Sequence, residues 1–110
     1  MTASPPANTA SAEFASTYTR HVDLVVAGNL RAVMADMLPE KLPTVFEGIN
    51  TPGKDVVSAR IVSMATDGDR SVGEAVYTTE SGVIGLRSGW GLVDGAWLAD
   101  ELENFEVPAP

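Results

Sequence analysis

Apolar positions recur every three to four residues from Ser11 to Ala27, which predicts an amphipathic helix. Its apolar face carries Phe14, Tyr18, His21, Val22 and Val25. Ser11 has the oxygen needed for an N-cap, and Gly28 suits the stop. Asn29 opens a second helix with Leu30, Val33, Met34, Met37 and Leu38 on one face, limited by Pro39. Lys41 to Ile49 reads as a further short helical stretch bearing Leu42, Val45 and Phe46, and Asn50-Thr51-Pro52-Gly53 is a turn cluster.

Beyond that cluster the period changes to two. Asp55–Thr66, Ser71–Glu80, Val83–Val93 and Ala96–Val107 read as strands rich in Val, Ile, Thr and aromatics. Asp67-Gly68, Ser81-Gly82 and Asp94-Gly95 are hairpin signals between them. Links this short join antiparallel neighbours, so the expected fold is α+β, with N-terminal helices packed on a four-stranded antiparallel meander. Residues 1–10 are expected to be a flexible tail and 11–107 a single domain. Residues 108–110 form a second tail, because proline cannot extend a central strand.

Short loops also set the register. Leu92 is expected opposite Trp97, Trp90 opposite Ala99, Arg87 opposite Leu102, Tyr77 opposite Leu86 and Val62 opposite Ala75. One sheet face then carries Val62, Met64, Ala75, Tyr77, Leu86, Trp90, Leu92, Trp97 and Ala99. The other carries Ile61, Val76, Leu98 and Leu102, with Glu74, Arg87 and Asp100 among them and Gly85, Gly89 and Gly91 opening space. Both faces are largely apolar and one helical layer covers only one, which argues for a homodimer. Arg87 lies diagonally near Glu74 and Asp100, either as a self-neutralising ion cluster or as a polar patch on a pocket wall.

Composition narrows the functions. The 110 residues hold seven basic and fifteen acidic side chains, for a net charge of −8. That balance repels phosphate backbones, so no nucleic-acid partner is expected. There is no cysteine, which removes disulfides, thiolate metal sites and thiol nucleophiles. No apolar run approaches the roughly 20 residues of a membrane span, and no basic-then-apolar leader is visible, so no membrane partner and a cytoplasmic location are expected. The single histidine, His21, cannot build a histidine-rich metal site, and the acidic residues lack calcium-loop spacing. No metal or cofactor is expected. His21 shares a helix face with Tyr18 and Val25, either as a hydrogen-bonded buried residue or as a proton-exchanging group in a pocket.

The stretch His21-Val22-Asp23-Leu24-Val25-Val26-Ala27-Gly28-Asn29-Leu30-Arg31-Ala32-Val33 resembles the helix–hinge–helix signature of the nuclear transport factor 2-like superfamily, which includes the SnoaL-like proteins. Arg87-Ser88-Gly89-Trp90-Gly91-Leu92-Val93-Asp94-Gly95-Ala96-Trp97 resembles its last hairpin. The likeness covers roughly residues 11–106. It implies a cone in which a curved sheet wraps the helices, a pocket between them, and a dimer through the outer sheet face. By that analogy Glu74, Arg87 and Asp100 look inward, and Tyr77, Trp90 and Trp97 form the dimer face. Composition alone favours the reverse, since the aromatic face is the more apolar.

The superfamily contains ketosteroid isomerase, which needs a carboxylate base and an oxyanion hole of tyrosine and protonated aspartic acid. Counting from the hinge and the last turn, the tyrosine's place falls at His21, the base's at Val45 (with Glu47 two residues on) and the aspartic acid's near Gly89. The set is missing and that activity is not carried over. The leading expectation is a homodimer that binds a small apolar ligand through Tyr18, His21, Met37, Phe46, Glu74, Arg87 and Asp100, with no catalytic residue assigned. The alternatives are a SnoaL-like or isomerase- or hydrolase-like enzyme using Asp100 or Glu74 as base, and a protein-interaction module with a filled cavity.

Overall fold

A computed structural model describes residues 7–107. Helix α1 spans Ala12–Val26, and the Ser11 side chain caps it by accepting from the Phe14 N–H at 3.2 Å. Gly28, at φ +71°, closes it, and the Asn29 side chain then caps α2, Leu30–Ala35. A 3₁₀ turn at Pro39–Lys41 leads into α3, Leu42–Val45. The four long strands follow as β2 (Val56–Asp67), β3 (Arg70–Thr79), β4 (Gly82–Val93) and β5 (Ala96–Phe105). They form the expected antiparallel meander, and the α+β class is as the periodicities predict. No helix among the described residues is long and apolar enough to cross a membrane.

Part of the expected N-terminal tail is structured. Ala7–Thr9 forms β1, which lies parallel to β2 with Ala7 opposite Ser63 and Thr9 opposite Ala65. The Ser11 N–H donates to Thr66 Oγ1 at 3.0 Å, tying the start of α1 to the same strand. Residues 1–6 and 108–110 of the expected tails lie outside the described residues.

The turns explain which registers hold. Asp94 and Gly95 both have positive φ, +49° and +82°, the signature of a tight primed turn. Leu92 accordingly faces Trp97 and Trp90 faces Ala99, as expected. The β3–β4 turn is Glu80-Ser81 rather than Ser81-Gly82, so Thr79 faces Gly82 and Tyr77 faces Ile84 instead of Leu86. That slip is of two residues, so each side chain keeps its face.

Two bulges have the opposite effect. One interrupts β2 between Ile61 and Ser63 and puts Ile61, not Val62, opposite Ala75. The other leaves Asp100 unpaired on β5, so that Leu102 faces Ser88 and Arg87 faces Glu103. An extra residue turns everything beyond it to the other face. Ile61 and Leu102 therefore join the core side, against the expectation.

The aromatic face is the inner one. Phe14 meets Trp90 and Trp97 edge-on at 5.7 and 5.6 Å, and Tyr18 stacks on Phe14 at 5.6 Å. Trp90 is 0 % exposed, Tyr77 2 % and Trp97 8 %. This corrects the assignment made by resemblance: a second subunit cannot dock on Tyr77, Trp90 and Trp97, because α1 already covers them. The magnitudes run one way. Each large aromatic side chain removes about 150–250 Å² from water, an upper value of about 4–6 kcal/mol at about 25 cal/mol per Å². Burying the charged face instead would cost several kcal/mol per ion before pairing.

Candidate functional site

A cavity of about 290 Å³ opens between the end of α1, helix α2, the segment from Phe46 to Gly53, and the inner face of β4 and β5. Its walls are apolar: Val25, Val33, Met37, Phe46, Leu86 and Leu102. The Leu30 and Met34 side chains are exposed at its edge, and Thr51-Pro52-Gly53 forms the opposite rim. Asn104 fixes that rim. Its side chain accepts from the Asn50 N–H at 2.7 Å and donates to the carbonyls of Asn50 and Gly85 at 2.9 and 3.1 Å.

Among the described residues, His21 is the one titratable side chain lining this cavity. It sits two turns along α1 from Phe14, on the buried stripe. Trp90 packs edge-on against its ring at 5.0 Å, and Tyr18, itself edge-on to Trp90, stacks near the ring at 6.4 Å. Its Nδ1 lies 2.9 Å from Asp36 Oδ2, and Arg20 Nη2 lies 3.2 Å from Asp36 Oδ1. Asp36 is itself buried, and its carbonyl accepts from the Ala99 N–H at 2.8 Å, which pins the end of α2 to β5. Burial by itself raises the Asp36 carboxyl, but the hydrogen bond and charge of His21, together with Arg20, outweigh it and hold the group below its ordinary 3.8.

That assignment fixes the imidazole. An ionised carboxylate only accepts, so Nδ1 carries a proton and donates to Asp36; Nε2 is then an acceptor when the ring is neutral and a second donor when it is charged. Nε2 makes no hydrogen bond among the described residues, yet no buried side-chain polar atom there lacks a partner. Nε2 therefore keeps accessible surface, and His21 meets open space at the cavity wall.

The structure gathers His21, Met37 and Phe46 of the expected ligand-binding set and separates the rest. Tyr18 lies below the cavity in the core, 2 % exposed, its ring directly over Gly73. Burial pushes its hydroxyl well above the usual tyrosine range. Glu74, Arg87 and Asp100 are on the outer face, in two ion-paired groups. Arg70 forks onto Asp100 at 2.6 and 2.9 Å and reaches Glu101 at 2.7 Å. Arg87 pairs with Glu74 at 2.7 Å and with Glu103, while Ser63 donates to Glu74 at 2.6 Å. The Ser63 hydroxyl and Arg87 hold the Glu74 carboxyl below its usual range, despite partial burial.

Asp100 thus belongs to Arg70 rather than to Arg87, and the outer carboxylates are not placed to act in the cavity. The glycines opposite them do open space, but on the outer side. A Cβ at Gly91 would sit 2.9 Å from Arg70 Nη1, and one at Gly89 would sit 3.2 Å from Nη2, so they let Arg70 lie flat on the sheet. Asp36 was missed from the sequence. The available signal was its place at the C-terminal end of α2, where a carboxylate opposes the helix dipole and needs another partner.

No family model matches the chain, and no curated protein matches it.

Proposed function

We propose that this chain is a small-molecule-binding domain of the nuclear transport factor 2-like kind, with its ligand in the cavity beside His21. The observation that carries this is His21, the one titratable side chain lining a mostly apolar cleft, oriented by the bond from Nδ1 to Asp36. A few placed polar groups in an apolar cleft are the usual make-up of a ligand site. At about 290 Å³ the cavity is at the small end of such sites, about 300–1,000 Å³, so the ligand is compact. Its apolar body rests on Met37, Phe46, Leu86 and Leu102, and its one polar group meets His21. The helix–hinge–helix order and the antiparallel meander that follows it support the same reading.

Native mass spectrometry of the protein from its own host tests this, with Leu102→Trp as the control. The wild type is expected to carry a defined small molecule that the tryptophan variant, its cavity filled, does not. A folded wild type that takes up neither a host molecule nor any of a panel of small apolar probes refutes the proposal.

A further inference from the structure

We infer that His21 acts as a proton acceptor toward its ligand, and that the ligand class is an apolar compound with a weakly acidic hydroxyl, such as a phenol or a stabilised enol. The inference rests on the cavity reading above and gives it a chemistry. Arg20, Asp36 and His21 form a line in which both Asp36 oxygens are engaged, one by each neighbour. Asp36 sets the imidazole with Nδ1 as donor and stands ready to balance a positive ring. Trp90 and the Ala99–Asp36 backbone bond hold both partners in place.

A hydroxyl bound at Nε2 can hand over its proton. The O–H bond breaks, an N–H bond forms at Nε2, and the electron pair stays on the ligand oxygen. The imidazolium then lies between that oxyanion and the Asp36 carboxylate, so the new charges appear as adjacent opposite pairs. A carboxylic acid is a poorer fit. It arrives already ionised, and it must bring its charge from water into an apolar cavity of a protein with net charge −8. The titratable and charged groups that face His21 are Tyr18 and Arg20 from α1 and Asp36 from the end of α2. The sheet presents Trp90, Leu86 and Leu102 there, and none of these titrates.

Asp36 is a positioning residue in this scheme, and His21 is the group that touches the ligand. The probe is 4-nitrophenol, whose anion absorbs visible light and whose neutral form does not. Binding is followed separately by calorimetry. Because His21 is the only histidine, its ring resonances in the tag-free protein report its protonation without assignment. Bound dye is expected to be ionised about tenfold more than free dye at the same pH, equivalent to about one pKa unit, with the His21 resonances moving to their protonated positions. His21→Phe should keep binding and lose the anion band, and Asp36→Asn should move the pH midpoint of the band. Dye bound in its neutral form, or an anion band that survives His21→Phe, overturns the proton transfer and leaves the cavity reading standing. Dye that does not bind a wild type that still takes up other small apolar probes overturns the ligand class and leaves the cavity reading standing, whereas a wild type that binds neither overturns both. If His21→Phe does not fold, the wild-type ring resonances decide alone: a neutral ring beside bound dye refutes the inference.

Discussion

Replacing Gly73 with alanine tests which side of the sheet is inside, and the two answers differ in sign. A Cβ built on Gly73 falls 2.4–2.6 Å from three ring carbons of Tyr18. Carbon atoms at rest stay about 3.5–4.0 Å apart, so the ring or the strand must yield by more than about 1 Å. The ring has little room to do so, since it is stacked on Phe14 and set edge-on to Trp90 at 6.1 Å. Overpacking of this kind costs about 1–3 kcal/mol, and the depth of the overlap puts Gly73→Ala at the upper end. Relief of the glycine's own strand penalty returns about 0.5–1 kcal/mol, leaving a net loss of about 2 kcal/mol. For a domain of about 100 residues that is a fall in Tm of about 8–16 °C. Were the Glu74–Arg87 face inside, the same methyl would point to solvent and the variant would gain about 0.5–1 kcal/mol. Urea and thermal unfolding measure the change. The same substitution on a Tyr18→Leu background should be close to neutral, a coupling of at least about 1 kcal/mol between contacting residues. A stabilised Gly73→Ala, or an equal penalty on both backgrounds, refutes the packing described here.

Three further outcomes follow from the ion pairs and the rim. Asp36→Ala is expected to cost about 2–4 kcal/mol in urea at neutral pH, because it leaves buried His21 without its partner. Since the folded Asp36 titrates below its ordinary 3.8, its contribution is full above that value and disappears as pH falls through the lower, folded one, so the wild type should lose this increment in acid and Asp36→Ala should not. Arg70→Ala should cost no more than about 1 kcal/mol despite its forked pair, since the Arg70 side chain is 43 % exposed and solvent screens it; a loss above about 2 kcal/mol would contradict this. Asn104→Ala removes two bonds to Asn50 at the rim and one to Gly85 on β4, and hydrogen exchange at the Asn50 amide should accelerate at least about tenfold, with unchanged exchange ruling out the clamp.

Helix α1 was legible because every buried side chain on it, from Phe14 to Val25, obeys one period and Ser11 marks the start. The Asp94-Gly95 hairpin was legible for a similar reason: two adjacent residues suited to positive φ fix the pairing nearby. The bulges were not, since the extra residues beside Ile61 and at Asp100 carry no local mark and depend on how the sheet must curve over α1. Strand β1 is three residues pairing across more than fifty positions, a contact no local pattern encodes. The inner face was readable from its aromatic content, and the resemblance pointed the other way. His21 stood out as a solitary histidine on an apolar stripe. Its bond to Asp36, fifteen positions away, depends on the angle at which α2 leaves the Gly28 hinge.

The two margins of the sheet are guarded by different means. At one, β1 occupies the hydrogen-bonding groups of β2 along Ser63–Ala65. At the other, the Asp36–Leu38 segment engages both main-chain groups of Ala99, and Asn50 binds the Asn104 side chain further along β5. Unpaired strand margins recruit strands from other molecules. A shortened version of this protein that begins after Thr9 would keep its core and expose a bare margin at Ser63–Ala65, so its weakness would be self-association in concentrated solution rather than unfolding. The same reasoning favours the C-terminal end over the N-terminal end for attaching a fusion partner.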